Sequence, residues 1–114
     1  SKEKTMKSVL SIILMGSLMA QNSYEIQHPK PTIPFELRYE EVSEYLEFEE
    51  LPGKIEVEFV INKEGKVTSP EITDSFNVRL NDVVLDKVRQ SLYTPAIQNG
   101  RPIQVRYKLP ILFK

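Results

Sequence analysis

The single histidine, His28, lies in a stretch with prolines at 29, 31 and 34, remote from any patterned segment that would set an acid or a nucleophile beside it. A general base working near neutral pH is most often a histidine. Serines such as Ser91 therefore lack a base, and a hydrolytic triad is excluded. The chain has no cysteine, which removes thiolate nucleophiles, disulfides and cysteine zinc sites. Glutamates at 40, 41, 44, 47, 49 and 50 form the densest set of oxygen ligands. A calcium loop needs an Asp-x-Asp-x-Asp-Gly run to fold its oxygens around the ion, and none is present. These glutamates read as a solvated acidic face. Gly65 and Gly100 are isolated turn glycines, so there is no phosphate-cradling loop. The residue chemistry is that of a non-enzyme without a cofactor or metal.

What remains is the chemistry of the backbone, and it concentrates between Tyr93 and Lys114. After a turn at Asn99-Gly100, Ile103, Val105, Tyr107 and Leu109 alternate with Gln104, Arg106 and Lys108. Alternation of this kind marks a strand with one buried and one wet face. Pro110 follows, and a proline within a sheet is confined to an edge, a strand end or a bulge. The stretch is therefore expected to form an edge strand whose main chain is open to a partner, with Gln104, Val105, Arg106, Tyr107, Lys108 and Leu109 as the partner-binding residues. Main-chain hydrogen bonds would supply affinity, and the polar face of Gln104, Arg106 and Lys108 would read polar or acidic groups. The competing reading is that these charges keep an edge soluble. A proline at Gln104 is expected to remove one edge donor.

The elements that must position this strand are legible upstream. Pro52-Gly53 turns into a strand with Ile55, Val57, Phe59 and Ile61 on one face and Glu56 and Glu58 on the other. Asn62 to Lys66 forms a hairpin loop with Gly65 at a positive φ. Val67 to Ile72 returns as a strand that Pro70 limits to an edge or bulge. Asn81 or Asp82 is expected to cap a helix whose stripe is Val84, Leu85, Val88 and Leu92, ended by Pro95. The helix returns the chain, so the last strand enters antiparallel to the first, in the order second, first, third. The fold class is α+β, a small antiparallel three-stranded sheet with a helix on one face, ββαβ in order. Over Tyr39 to Leu51 the spacing of apolar residues fits helix and strand alike, and an extra N-terminal helix is the preferred reading.

Residues 1–20 carry Lys2, Lys4 and Lys7 ahead of an apolar run from Val9 to Ala20, the layout of a secretory signal peptide, with Met6 a candidate start. The alternative is an inner-membrane anchor. Twelve residues give about 18 Å of helix against a hydrocarbon core of about 30 Å. Residues 21–38, with their three prolines, read as an extended spacer reaching about 56 Å. Residues 39–114 form the domain. The formal net charge of -1 divides into +2 over residues 1–20, -7 over 21–60 and +4 over 61–114. The basic part lacks interleaved surface aromatics, so no nucleic-acid partner is expected. A domain of about 75 residues is near the lower limit for a self-sufficient core. Pairing of the edge, as a homodimer or with a partner, would relieve it.

The order of Tyr93, Pro95-Ala96, Asn99-Gly100, Pro102, the alternating strand and Pro110-Ile111-Leu112-Phe113 resembles the end of a TonB C-terminal domain. Lys54-Ile55-Glu56-Val57-Glu58-Phe59-Val60-Ile61-Asn62-Lys63-Glu64-Gly65-Lys66-Val67 is similar to that family's first hairpin. Together they cover roughly Gly53 to Phe113. The resemblance implies a periplasmic protein, free or tethered to the inner membrane, that takes the TonB-box peptide of an outer-membrane transporter beside its last strand and couples it to transport. It also favours the helix before the first strand. The chain departs from the family in its spacer, which is far shorter than the Pro-rich segment of TonB proteins. A released periplasmic module that binds a peptide, another domain or a second copy, without transducing force, is the second expectation.

Overall fold

The computed structural model describes residues 12–14, 17–18, 26–33 and 35–114. Its main sheet is built on β5 (Gly53–Ile61), where Ile55, Val57, Phe59 and Ile61 are buried at 1% exposure or less. Each such side chain contributes about 1.5–3 kcal/mol by leaving water. The intervening Glu56 and Glu58 stay on the wet face, as the alternation requires. The chain reverses at Asn62, whose Oδ1 accepts the Glu64 and Lys66 amides at 2.9 Å each. Gly65 sits at φ 87°, and a Cβ there would run into the Tyr93 carbonyl oxygen. The Tyr93 amide donates to the Gly65 carbonyl at 2.9 Å, so the turn is also tied to the C-terminal part of the domain.

β6 (Val67–Ser75) is longer than the Val67–Ile72 expected, because two register shifts against β5 absorb residues that the ladder could not accommodate. One shift spans Ser69, at φ 52°, and Pro70, which has no N–H to give. A 3-10 turn at Val78–Leu80 then leads into α2 (Asn81–Gln90). Because this turn feeds the helix directly, the cap is neither Asn81 nor Asp82. Asn77 caps the turn instead, its Oδ1 accepting the Arg79 amide at 3.0 Å. Leu80, Val84 and Val88 form the buried stripe, with Leu85 half-buried. Leu92 is no part of it, since the helix ends at Gln90 and Leu92 lies exposed in the next strand.

β10 (Val105–Phe113) pairs antiparallel with β5 through nine consecutive residue pairs without a shift, from Val105 opposite Ile61 to Phe113 opposite Gly53. The order β6, β5, β10 is the one expected. Val105, Leu109, Ile111 and Phe113 join the β5 residues and the α2 stripe in one core. This is the expected α+β arrangement. Over residues 39–51 the expected extra helix shrinks to one turn, α1 (Tyr39–Val42), with a 3-10 turn at Phe48–Glu50. Tyr39 stacks on Phe48 with ring centroids 5.6 Å apart, which requires the chain to double back rather than run on as a helix.

The spacer expected over 21–38 is corrected by the described part of it. β3 (Ile26–Gln27) pairs with β8 (Ala96–Gln98), and β4 (Pro31–Ile33) pairs with β7 (Leu92–Tyr93). Ile26, Phe35 and Leu37 are in the core. Proline kept this stretch extended, as read, but an extended chain with apolar residues packs readily along a sheet margin. β8 turns into β9 (Arg101–Ile103) at Asn99 and Gly100, with φ 54° and 77°, the two positive values that a two-residue hairpin turn needs.

β1 (Ile12–Leu14) and β2 (Ser17–Leu18) pair antiparallel with the outer side of β10. The expectation that β10 is the outermost strand is thereby corrected. The remainder of the leader or anchor reading of residues 1–20 lies outside the described residues. Among the described residues no helix is long and apolar enough to cross a membrane.

Candidate functional site

The direction of each main-chain group along β10 follows from the hydrogen bonds of its neighbour. On β5, the Asn62 amide donates to Lys66, and the Lys54 carbonyl accepts the Phe76 amide at 3.1 Å. The Val60 carbonyl accepts the Thr68 hydroxyl. Even-numbered residues of β5 therefore turn their N–H and C=O groups toward β6. Those directions alternate along a strand, so the odd-numbered residues turn toward β10. The register sets Phe59 opposite Tyr107 and Val57 opposite Leu109. Odd residues of β10 are thus spent on β5, while Arg106, Lys108, Pro110 and Leu112 turn their main-chain groups outward. Pro110 lies where a proline does no harm, its missing N–H on the outer side.

The six residues expected at the site divide accordingly. Gln104 stands between β9 and β10, outside either strand, so it is not a donor of the edge strand. The expected effect of proline there belongs to Lys108 instead. Val105 and Leu109 are buried in the core, and Tyr107 is half-buried in an aromatic cluster. Its ring lies 5.6 Å from those of Phe59 and Tyr93. Burial, and then the neighbouring Tyr107, push the Tyr93 hydroxyl up to about 12; burial raises Tyr107 as well. Arg106 and Lys108 alone of the six offer outward main-chain donors.

Their side chains are already engaged. Arg106 Nη2 lies 3.1 Å from Glu58 Oε1, and Lys108 Nζ lies 3.6 Å from Glu56 Oε2 and 4.0 Å from Glu58 Oε2. These pairs, two diagonal and Lys108–Glu58 directly opposite, lay a charge ladder across the wet face. An acidic partner would compete with Glu56 and Glu58 for the cations, so the ladder supports solubility at least as much as recognition.

Leu112 and the Pro110 carbonyl were not among the expected residues. The period-2 pattern held the signal: Leu109, Ile111 and Phe113 continue the apolar set straight through Pro110, which a strand can do when the proline nitrogen faces outward.

The opposite margin of the sheet is a poor alternative. β6 carries two register shifts, a positive φ at Ser69 and Pro70, devices that spoil a template for a further strand. Other chemistry is sparse. Among the described residues no three metal-ligating side chains converge. Ser91 is buried and donates to the Lys87 carbonyl at 3.1 Å, and His28 is exposed between β3 and β4. Part of the acidic set has local work: Glu41 meets Lys87 at 2.6 Å and accepts the Arg38 amide, while Glu50 accepts the Glu47 amide and the Asn77 side chain.

The sequence profile described as TonB_C, Gram-negative bacterial TonB protein C-terminal, matches residues 47–114, more than half of the chain. The chain belongs to the TonB C-terminal domain family. The match takes in β5, β6, α2 and β10 whole, so the outward-facing edge lies inside the family's domain. Domains of this family are periplasmic protein-interaction modules of Gram-negative bacteria that act with outer-membrane transporters. The fold agrees with the solution NMR structure of the Pseudomonas aeruginosa TonB C-terminal domain, at 17% sequence identity and a TM-score of 0.55, covering 85% of this chain and 93% of that one. No curated protein matches the chain.

Proposed function

We propose that this protein is a periplasmic TonB-like binding module that takes an extended partner peptide, such as the TonB box of an outer-membrane transporter, as an added strand on the outer side of β10. The observation that carries this reading is the unbroken ladder of β10 on β5 together with the outward turn of Arg106, Lys108 and Leu112, donor and acceptor both, and of the Pro110 carbonyl. Val105, Tyr107 and Leu109 support the site from the core side. A shift-free strand keeps those groups at even spacing, which is what strand addition requires.

The packing of residues 26–37 favours the released module over the energy-coupling role. With Ile26 in the core, residues 21–25 are the only chain between an anchor in residues 1–20 and the domain. Five residues span at most about 18 Å fully extended, so an anchor there would hold the domain at the membrane surface. Intact mass of the native protein from membrane and periplasmic fractions separates the two roles. A soluble species beginning near Gln21 is expected; a membrane-bound species retaining residues up to Ala20 would restore coupling.

Lys108→Pro tests the edge itself. It removes an outward donor while leaving the odd-numbered ladder to β5 in place. Calorimetric titration of the form beginning near Gln21 with a synthetic TonB-box peptide should show binding weakened about ten-fold, the equivalent of about 1.4 kcal/mol. Equal binding by parent and variant, with unchanged thermal melts, would sink strand addition at β10.

A further inference from the structure

The outer side of β10 is occupied by the chain itself. Ile12, Ile13 and Leu14 stand opposite Phe113, Leu112 and Ile111, and Ser17 and Leu18 opposite Lys108 and Tyr107. Both short strands keep one register, and Pro110 falls between the two paired stretches. Since Leu112 and Lys108 turn their main chains outward, Ile13 and Ser17 are the residues that meet them in hydrogen-bonded pairs.

We propose that residues 12–14 and 17–18 are a removable cis strand that closes the peptide edge of β10, and that a partner peptide binds only after this strand has left. The inference rests on the strand-addition reading above. One main-chain N–H cannot serve two strands at once, so occupancy in cis and in trans is mutually exclusive. The opposite margin of the main sheet does not relieve the conflict, because β6 is spoiled by its shifts and by Pro70.

The contact is also built to yield. Five residue pairs in two pieces face a strand that holds β5 with nine. Tethering raises the local concentration of the cis strand to the millimolar range, which keeps a weak strand in place against a dilute competitor. The partner's apparent dissociation constant then rises as the inverse of the open fraction. The apolar run from Val9 to Ala20 has other destinations, cleavage as a leader or insertion in a membrane, and either one would open the edge. Maturation of the N-terminus and competence to bind are thus one event.

The test uses the full chain and its Ile13→Pro, Ser17→Pro double variant, which lacks the donors facing Leu112 and Lys108. Amide hydrogen exchange read residue by residue should show Lys108 and Leu112 protected in the parent and exchanging at least ten-fold faster in the variant. The Tyr107, Leu109 and Ile111 amides face β5 and should stay protected in both, which verifies that the variant is folded. Equal exchange of Lys108 and Leu112 in the two proteins would overturn the cis strand. The probe for binding is a synthetic peptide of residues 11–18 with lysines added at both ends. It should bind the variant at least ten-fold more tightly than the parent. Equal affinity for both would overturn the competition and leave β10 standing as a peptide edge. Binding to neither, with the variant's edge amides exchanging freely, would overturn the strand-addition reading itself.

Discussion

Asn77 shows how much one buried polar side chain can hold. It is 6% exposed; its Nδ2 donates to the Tyr45 carbonyl at 2.8 Å and to Glu50 Oε1 at 3.0 Å, and its Oδ1 accepts the Arg79 amide. The residue joins the acidic segment to the entry of α2. Asn77→Ala strands the part-buried Tyr45 carbonyl and the Arg79 amide together, and denaturant unfolding should register a loss of about 1–3 kcal/mol. Tyr93 carries a different signature. Burial raises its pKa from the ordinary 10.0 to about 12. A raised acid favours folding fully below its unfolded pKa and loses that contribution as pH climbs from 10.0 toward about 12. Alkaline unfolding should fall in that window, and Tyr93→Phe should move its midpoint to higher pH in a titration followed by circular dichroism. An unmoved midpoint would show that Tyr93 is not what limits the domain in alkali. Neither role was legible beforehand: nothing local marks Asn77, because its partners lie 27 and 32 positions away.

At the scale of elements, the strands that period 2 announces came out where the pattern puts them, while capping and length did not. Leu80, Val84 and Val88 give α2 its stripe, but the 3-10 turn ahead of it shifted the cap to Asn77, a choice made by packing rather than by local preference. β10 ran past Pro110 because the nitrogen faces outward, and that direction depends on the register with β5. The joint between α1 and α2 is ionic. Burial alone would raise the Glu41 carboxyl, yet the Lys87 ammonium and the Arg38 amide outweigh it and hold its pKa below the ordinary value. A depressed acid stabilises above its unfolded pKa and loses that contribution as pH falls through the folded one. Glu41→Gln should therefore cost about 0.5–1 kcal/mol at pH 7, and the gap from the parent should close as both are acidified below about pH 4. Urea melts at the two pH values check this; a gap that persists in acid would assign the loss to packing instead.

For the whole molecule, the telling residues are those that looked least structural. Between Gln21 and Arg38 the prolines at 29, 31 and 34 suppress both helical and strand periodicity, so the sequence reads as chain that spans distance. The structure spends its described part on closure instead: β3 and β4 flank β8 and β7, and Phe35 and Leu37 reach the core. Nothing local signals this, because the partners of residues 26–33 lie about sixty to seventy positions downstream. The consequence is energetic as well as geometric. A domain this small gains a sizeable share of its burial from a strap of that kind. Phe35→Ala makes the two readings diverge. A spacer residue would leave thermal unfolding unchanged. A core phenylalanine, 7% exposed, should lose about 3 kcal/mol or more and lower Tm by at least about 10 °C in one cooperative transition. Such a loss would also mean that a fragment beginning at Tyr39 is a weakened domain, so that partner affinities measured on it would include the cost of a missing strap.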